Sequence, residues 1–182
     1  DPGAPRYSRK TFSPQRYEIV FCNSIGHSVP AINGTLQQPG SEYYGTLETD
    51  NLNGEGQKHA IIDMTHAYPE GTVKRLIRTF TLDADTNRLT LEDAYTFDRT
   101  PSTLEESFIT FEEVTISQDG GSVQLGPEDN PLRLSAVDTP GRFRVKRLVE
   151  ESKEGRADEV ISRITFMPET LSVEMRLRFD IA

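Results

Sequence analysis

The chain has no tryptophan and a single cysteine, Cys22, among its 182 residues. One thiol cannot close an intrachain disulfide, so the cysteine count carries no sign of an oxidising compartment. A run of about 18 apolar residues, the length a membrane-crossing helix needs, is also missing. Positive charge is short as well: 20 Lys and Arg face 29 Asp and Glu, a formal net charge of −9. Such a chain has no bulk attraction for nucleic acid or an anionic membrane, and none for an acidic polymer. Phosphate-cradling glycine loops, Rossmann glycines, zinc-finger cysteine spacing and nucleophile elbows are all absent, so the sequence gives no sign of a phosphate loop, a dinucleotide fold, a zinc finger or an α/β-hydrolase serine. No repeat of about 20 to 50 residues is visible, which removes propellers and solenoids. Asp1-Pro2-Gly3-Ala4-Pro5-Arg6 bears no secretion-signal pattern and no initiator Met, so the sequence reads as a processed or excised piece of a longer chain.

What the sequence does hold is period-2 alternation. Leu76, Arg78, Phe80 and Leu82 place one Arg on an otherwise apolar face, and Leu89, Leu91, Asp93, Tyr95 and Phe97 place one Asp on another. With the polar turn at residues 83–87 between them, the two runs predict an antiparallel hairpin. A buried charge is costly unless paired, so Arg78 and Asp93 are expected to meet across the sheet as a structural ion pair. Further strands are expected at residues 43–49, 59–64, 107–111, 114–117, 122–125, 132–136, 143–148, 161–167 and 171–181, separated by Gly, Pro and Asn turns. The charged run at 150–159 reads as a solvated loop. No amphipathic helix of ordinary length is predicted. The fold class is therefore all-β, a large antiparallel two-sheet β-sandwich of roughly a dozen strands, with a jelly roll or barrel-like closure as its competitor.

Residues 16–34 organise the rest. Tyr17, Ile19 and Phe21 alternate with Glu18, Val20 and Cys22, which predicts a first strand with Cys22 as a small buried hydrophobe. The pattern breaks at Asn23-Ser24-Ile25-Gly26, and His27 follows, before Pro30 and Asn33-Gly34 punctuate the chain again. A lone titratable imidazole thus sits in a loop between strands, where binding and catalytic groups concentrate.

Arg16-Tyr17-Glu18, the run Gly26-His27-Ser28-Val29-Pro30, and Ile32-Asn33-Gly34 with Gln37 resemble the start of the C-terminal β-sandwich domain of heparinase II/III-like polysaccharide lyases. Asp1-Pro2-Gly3-Ala4 with Tyr7 and Phe12 is similar to the approach to that motif, and Asp63-Met64-Thr65-His66-Ala67-Tyr68-Pro69 and residues 73–80 resemble later landmarks. The resemblance implies an arm or linker at 1–15 continuing from an upstream helical toroid domain, followed by the sandwich at 16–182. It implies β-elimination from an acidic, uronate-containing polysaccharide, heparan-like or alginate-like: a base removes the proton α to the carboxylate and an acid protonates the leaving oxygen.

His27 matches the sandwich histidine that such enzymes bring to the interdomain cleft, so it is the candidate catalytic residue. Asn33, inside the motif, and Tyr43, in the only adjacent aromatic pair, are the candidate substrate-binding residues. No cofactor is assigned. Zinc is the ion considered, with Asp63 and His66 as its candidate ligands; the His-x-His pattern expected for the family's zinc is absent, since Ser28 and Val29 follow His27. A lyase of this kind would work in the periplasm or be secreted. Without the toroid the sandwich holds one member of a group that acts as a unit, so it is expected to be an inefficient enzyme alone. A carbohydrate-binding module and a ligand-free structural domain are the competing readings.

Overall fold

Leu76, Arg78 and Phe80 share one face of a strand, as do Leu91, Asp93 and Tyr95, and the pairing of those two strands begins the larger of two sheets. A computed structural model describes residues 2–156 and 158–182. Among the described residues there are twelve strands: β1 Ala31–Ile32, β2 Thr46–Asp50, β3 Gln57–Asp63, β4 Arg75–Asp83, β5 Arg88–Thr96, β6 Leu104–Thr110, β7 Val114–Ile116, β8 Ser122–Leu125, β9 Leu132–Val137, β10 Gly141–Arg147, β11 Ser162–Pro168 and β12 Glu174–Ile181. They form a four-stranded sheet, β1-β6-β11-β10, and an eight-stranded sheet, β2-β3-β4-β5-β12-β9-β8-β7. Every pairing is antiparallel.

The β4–β5 hairpin has the register its alternation demands, with Arg78 opposite Asp93 and Phe80 opposite Leu91. Its turn is set by Asp83, whose Oδ1 accepts from the backbone N–H groups of Asp85 (3.0 Å) and Thr86 (3.1 Å). Asn87 supplies the left-handed residue with φ 51°, a conformation Asn tolerates. Between the sheets lies one apolar core drawn from both, including Leu76, Leu91, Leu177 and Phe179 of the larger sheet and Phe143, Ile164 and Phe166 of the smaller. Phe166 and Phe179 meet edge to face with centroids 5.3 Å apart, the arrangement aromatic quadrupoles favour.

Three local expectations are corrected. Residues 16–22 form no strand: the chain runs through 3-10 turns at Pro14–Glu18 and Val20–Cys22. Ser13 Oγ caps the first by accepting from the Gln15 N–H at 3.3 Å, and Pro14 opens it. Ile19, Val20 and Phe21 are all buried, a consecutive burial that no strand with one wet face can give. They pack with Leu148 and Ile161 as a second, smaller core, and Cys22 lies half-buried at its margin. Second, residues 43–45 stay outside β2, and the strand that follows is exposed along its whole length as the edge of the larger sheet. Third, the charged run after Leu148 is partly ordered: Val149–Ser152 makes one helical turn (α1), Ser152 is buried, and Gly155 lies under the Phe21 ring, where a Cβ would overlap it. The sequence showed only the charges there; the buried seryl hydroxyl, donating to Leu148 O at 2.5 Å and accepting from Ile161 N at 2.9 Å, holds the turn in place.

Candidate functional site

The 3-10 turn Ser24–Gly26 delivers His27 to the edge of the smaller core. Asn23 opens that turn, accepting from Ile25 N at 2.9 Å through Oδ1 while its Nδ2 donates to Tyr17 O at 3.0 Å. Gly26 closes it because nothing larger fits: a Cβ there would fall onto the Val20 carbonyl oxygen. Backbone cannot yield as a flexible side chain can. Gly26→Ala should therefore cost about 1–3 kcal/mol of stability, read as a lowered denaturant midpoint, and an unchanged midpoint would contradict so tight a turn.

His27 itself is half-buried in a cleft of about 310 Å³ lined by Tyr17, Cys22, Ser24, Leu36 and Gln37. Burial lowers its pKa from the ordinary imidazole value, opposed by a hydrogen bond to the Phe21 backbone that favours the charged ring. At neutral pH the ring is accordingly neutral, the form that can take a proton.

The segment around His27 is anchored on both sides. Ser24 Oγ accepts from Gln37 N at 3.1 Å, and Ser28 Oγ accepts from Ile109 N on β6 at 3.0 Å. Tyr68 donates its hydroxyl to Pro30 O at 2.7 Å. The Ser28 carbonyl accepts from Arg78 Nη1, which ties the residue after His27 to the interior of the larger sheet.

Arg78 in turn forks onto Asp93, with Nε to Oδ1 at 2.8 Å and Nη2 to Oδ2 at 2.5 Å, and Nη2 also reaches Glu106 Oε2 at 3.3 Å. Tyr95 donates its hydroxyl to Glu106 Oε1. Arg78 is 4% exposed, and Asp93 and Glu106 are fully enclosed. The expected Arg78–Asp93 pair is thus present, as part of a larger network. Burial alone would lower the Arg78 pKa, but Asp93 and Glu106 outweigh it and hold the guanidinium firmly charged. Glu106 goes the other way. Burial first, then the Asp93 charge, push its carboxyl well above the usual range, and a hydrogen bond to Asp93 that only the protonated acid can donate adds to this. One cation, one anion and one neutral acid leave the cluster uncharged, which makes its burial tolerable.

A pH dependence follows. From the ordinary glutamate value up to the raised folded value, the folded chain keeps a proton on Glu106 that the unfolded chain releases, so this group's contribution to stability falls as pH rises through that window. Glu106→Gln keeps a neutral donor at the site and removes the titration. As pH rises above the ordinary glutamate range the melting temperature of the variant should therefore gain on that of the parent; a difference that does not change with pH would contradict a protonated Glu106.

The other sequence candidates lie outside the His27 cleft. Asn33, at φ 52°, uses Oδ1 to accept from Ser102 N (2.7 Å), Ser102 Oγ (2.9 Å) and Thr103 N (3.1 Å). Its oxygen thereby clasps the loop before β6. Tyr43 is half-buried, its N–H donating to Gly40 O at 3.2 Å. Its neighbour Tyr44 stacks on the His66 ring with centroids 5.3 Å apart. Asp63 Oδ1 caps the turn containing His66 by accepting from Thr65 N at 2.9 Å. Among the described residues no three His, Cys, Asp or Glu side chains gather to hold a metal.

Sequence reasoning missed Glu106, Tyr95 and Tyr68 as parts of this structure. Glu106 did leave a signal: Leu104, Glu106 and Phe108 set one acid within an apolar alternation, the same pattern that marked Arg78 and Asp93.

No protein-family model and no curated protein matches the chain. Solved structures do. A mutant heparan sulfate lyase HepC from Pedobacter heparinus superposes with a TM-score of 0.71 at 10% identity, covering 100% of this chain and 27% of that one. A heparinase III gives 0.64 at 13% identity over 97% of this chain and 26% of its own. A heparinase III with methylated lysines gives 0.68 at 11% over 100% and 26%. The chain has the fold of one part of those proteins and spans about a quarter of their length.

Proposed function

We propose that this chain is the C-terminal sandwich of a polysaccharide lyase and works with a helical toroid domain upstream in the same polypeptide. The polymer cleaved is an acidic polysaccharide containing uronic acid, heparan-like or alginate-like, and the reaction is β-elimination. The observation that carries this reading is the likeness to heparan sulfate lyase and heparinase III structures over the full length of the chain. His27 supports it chemically, as a ring held neutral by burial, in an open cleft and on an anchored loop. In this reading His27 is one of the acid–base groups, and the partner domain supplies the others. Exposed apolar side chains also favour a partner. Tyr7 (70% exposed), Phe12 (78%), Tyr17 and Ile25 all fall within the first 25 residues, and Tyr17 lines the His27 cleft. Such a concentration suits a docking face.

The test is to express the chain joined to the proposed upstream domain and to incubate it with heparan sulfate and with alginate, following the ultraviolet absorbance of unsaturated uronate. Product is expected from one of these polymers only when both domains are present. Absence of product from both would overturn the lyase reading.

A further inference from the structure

Strand β10 stands out in a chain of net charge −9: Arg142, Arg144 and Lys146 alternate along it with no acidic residue between them. Phe143 points into the core, so the three cations share the outer face of the four-stranded sheet, at its edge. Alternate residues on a strand lie about 6.6 Å apart, which makes a straight row of positive charge. The side chains of Arg142 and Arg144 make no hydrogen bond or ion pair among the described residues, and both residues are exposed. The aliphatic stem of Arg142 rests beside Gly120 in the β7–β8 turn.

Next to this row, on the same face, β11 sets Thr165 opposite Arg144 and Arg163 opposite Lys146, and β6 sets Ser107 opposite Thr165. Arg163 donates through Nη2 to Glu105 (3.1 Å) and to the Ser107 hydroxyl (2.8 Å). Its Nε is the one buried side-chain donor without a partner among the described residues, enclosed beneath the surface beside the row. Carboxylates are present nearby but engaged. Glu105 is held by Arg163, Glu151 lies 3.9 Å from Lys146, and Glu18 lies 3.8 Å from Lys10. The cleft of about 430 Å³ that Lys146 and Arg163 line also includes Asn23 and Leu36, and both of these line the His27 cleft as well.

We propose that Arg142 and Arg144, with Lys146, form an anion-binding track for an acidic polysaccharide, holding the part of the polymer that leaves the His27 cleft. This rests on the lyase reading for its direction but not for its chemistry. A row of cations with the Thr165 hydroxyl beside it suits carboxylates or sulfates carried on a polyol. It also answers a difficulty of the composition, since the chain as a whole repels acidic polymers and a local track is needed to hold one.

The test is direct binding of heparan sulfate fragments of graded length by the full chain, measured without turnover across a salt series. Alginate oligosaccharides serve as a carboxylate-only arm that separates sulfate from carboxylate recognition. Arg142→Gln with Arg144→Gln should weaken binding of long fragments at least about tenfold and flatten the salt dependence by about two ionic contacts. The control, Lys58→Gln with Lys74→Gln, makes the same change in net charge away from β10 and should bind like the parent. Melting temperatures of both variants verify folding. Equal losses in the β10 variant and the control, or no measurable binding by the parent chain, would overturn the track. Because no catalysis is read, that failure is distinct from the absence of elimination product.

Discussion

Asp93→Ala is expected to cost about 3–5 kcal/mol of folding stability, a large share of what a domain of this size possesses. Asp93 accepts two of the Arg78 donors at 2.8 and 2.5 Å while wholly enclosed. Its removal leaves two guanidinium donors without their acceptor, in a place water does not reach. Among the described residues Glu106 is the only other acid on that group, at 3.3 Å, and its own carboxyl is protonated largely because it is buried beside Asp93. In either variant Glu106 no longer faces a neighbouring anion and can ionise to become the counter-ion; Asp93→Asn also keeps the shape and one oxygen that accepts from Arg78, so it should lose less than the alanine. Adding Arg78→Met to Asp93→Ala should restore part of the loss, because removing both partners leaves no orphan charge. Chemical unfolding gives all of these values. A loss below about 1 kcal/mol for Asp93→Ala would mean that the fork is not the buried, two-pronged contact described here.

The larger sheet was legible for a physical reason. Strands with one face in the core must alternate, and the alternation is clearest where a single charge interrupts it, as at Arg78 and Asp93. Glu106 carried the same mark between Leu104 and Phe108. It was passed over because the strand was expected to begin at Ser107, one residue beyond it. Residues 16–22 misled for the opposite reason. Ile19, Val20 and Phe21 are three consecutive residues buried against Leu148 and Ile161, and a period-2 template divides such a run between two faces. Only the Ser13-Pro14 pair, a cap followed by a first-turn proline, signalled the 3-10 turn. Asn33 was legible as a turn residue, but its clasp on Ser102 and Thr103 spans about seventy positions of sequence, and no local pattern reports a contact of that range.

In the enzyme proposed here, His27→Ala should lower the rate of elimination by about 10²–10⁴ while leaving the fold intact. The imidazole lies at a cleft, outside the main apolar core, so truncating it creates no large cavity. The backbone anchors at Ser24, Ser28 and Pro30 do not use its ring. Its burial keeps it neutral and ready to take a proton, and no other histidine lines the cleft: His59 faces Thr81 on β3 and β4, and His66 stacks on Tyr44. The decisive measurement is the initial rate of unsaturated uronate formation by the chain joined to the proposed toroid domain, parent against His27→Ala, with the melting temperature of each recorded alongside. A fall of at least about a hundredfold at an unchanged melting temperature is the predicted result; equal rates would contradict the role given to this residue and with it the proposed site.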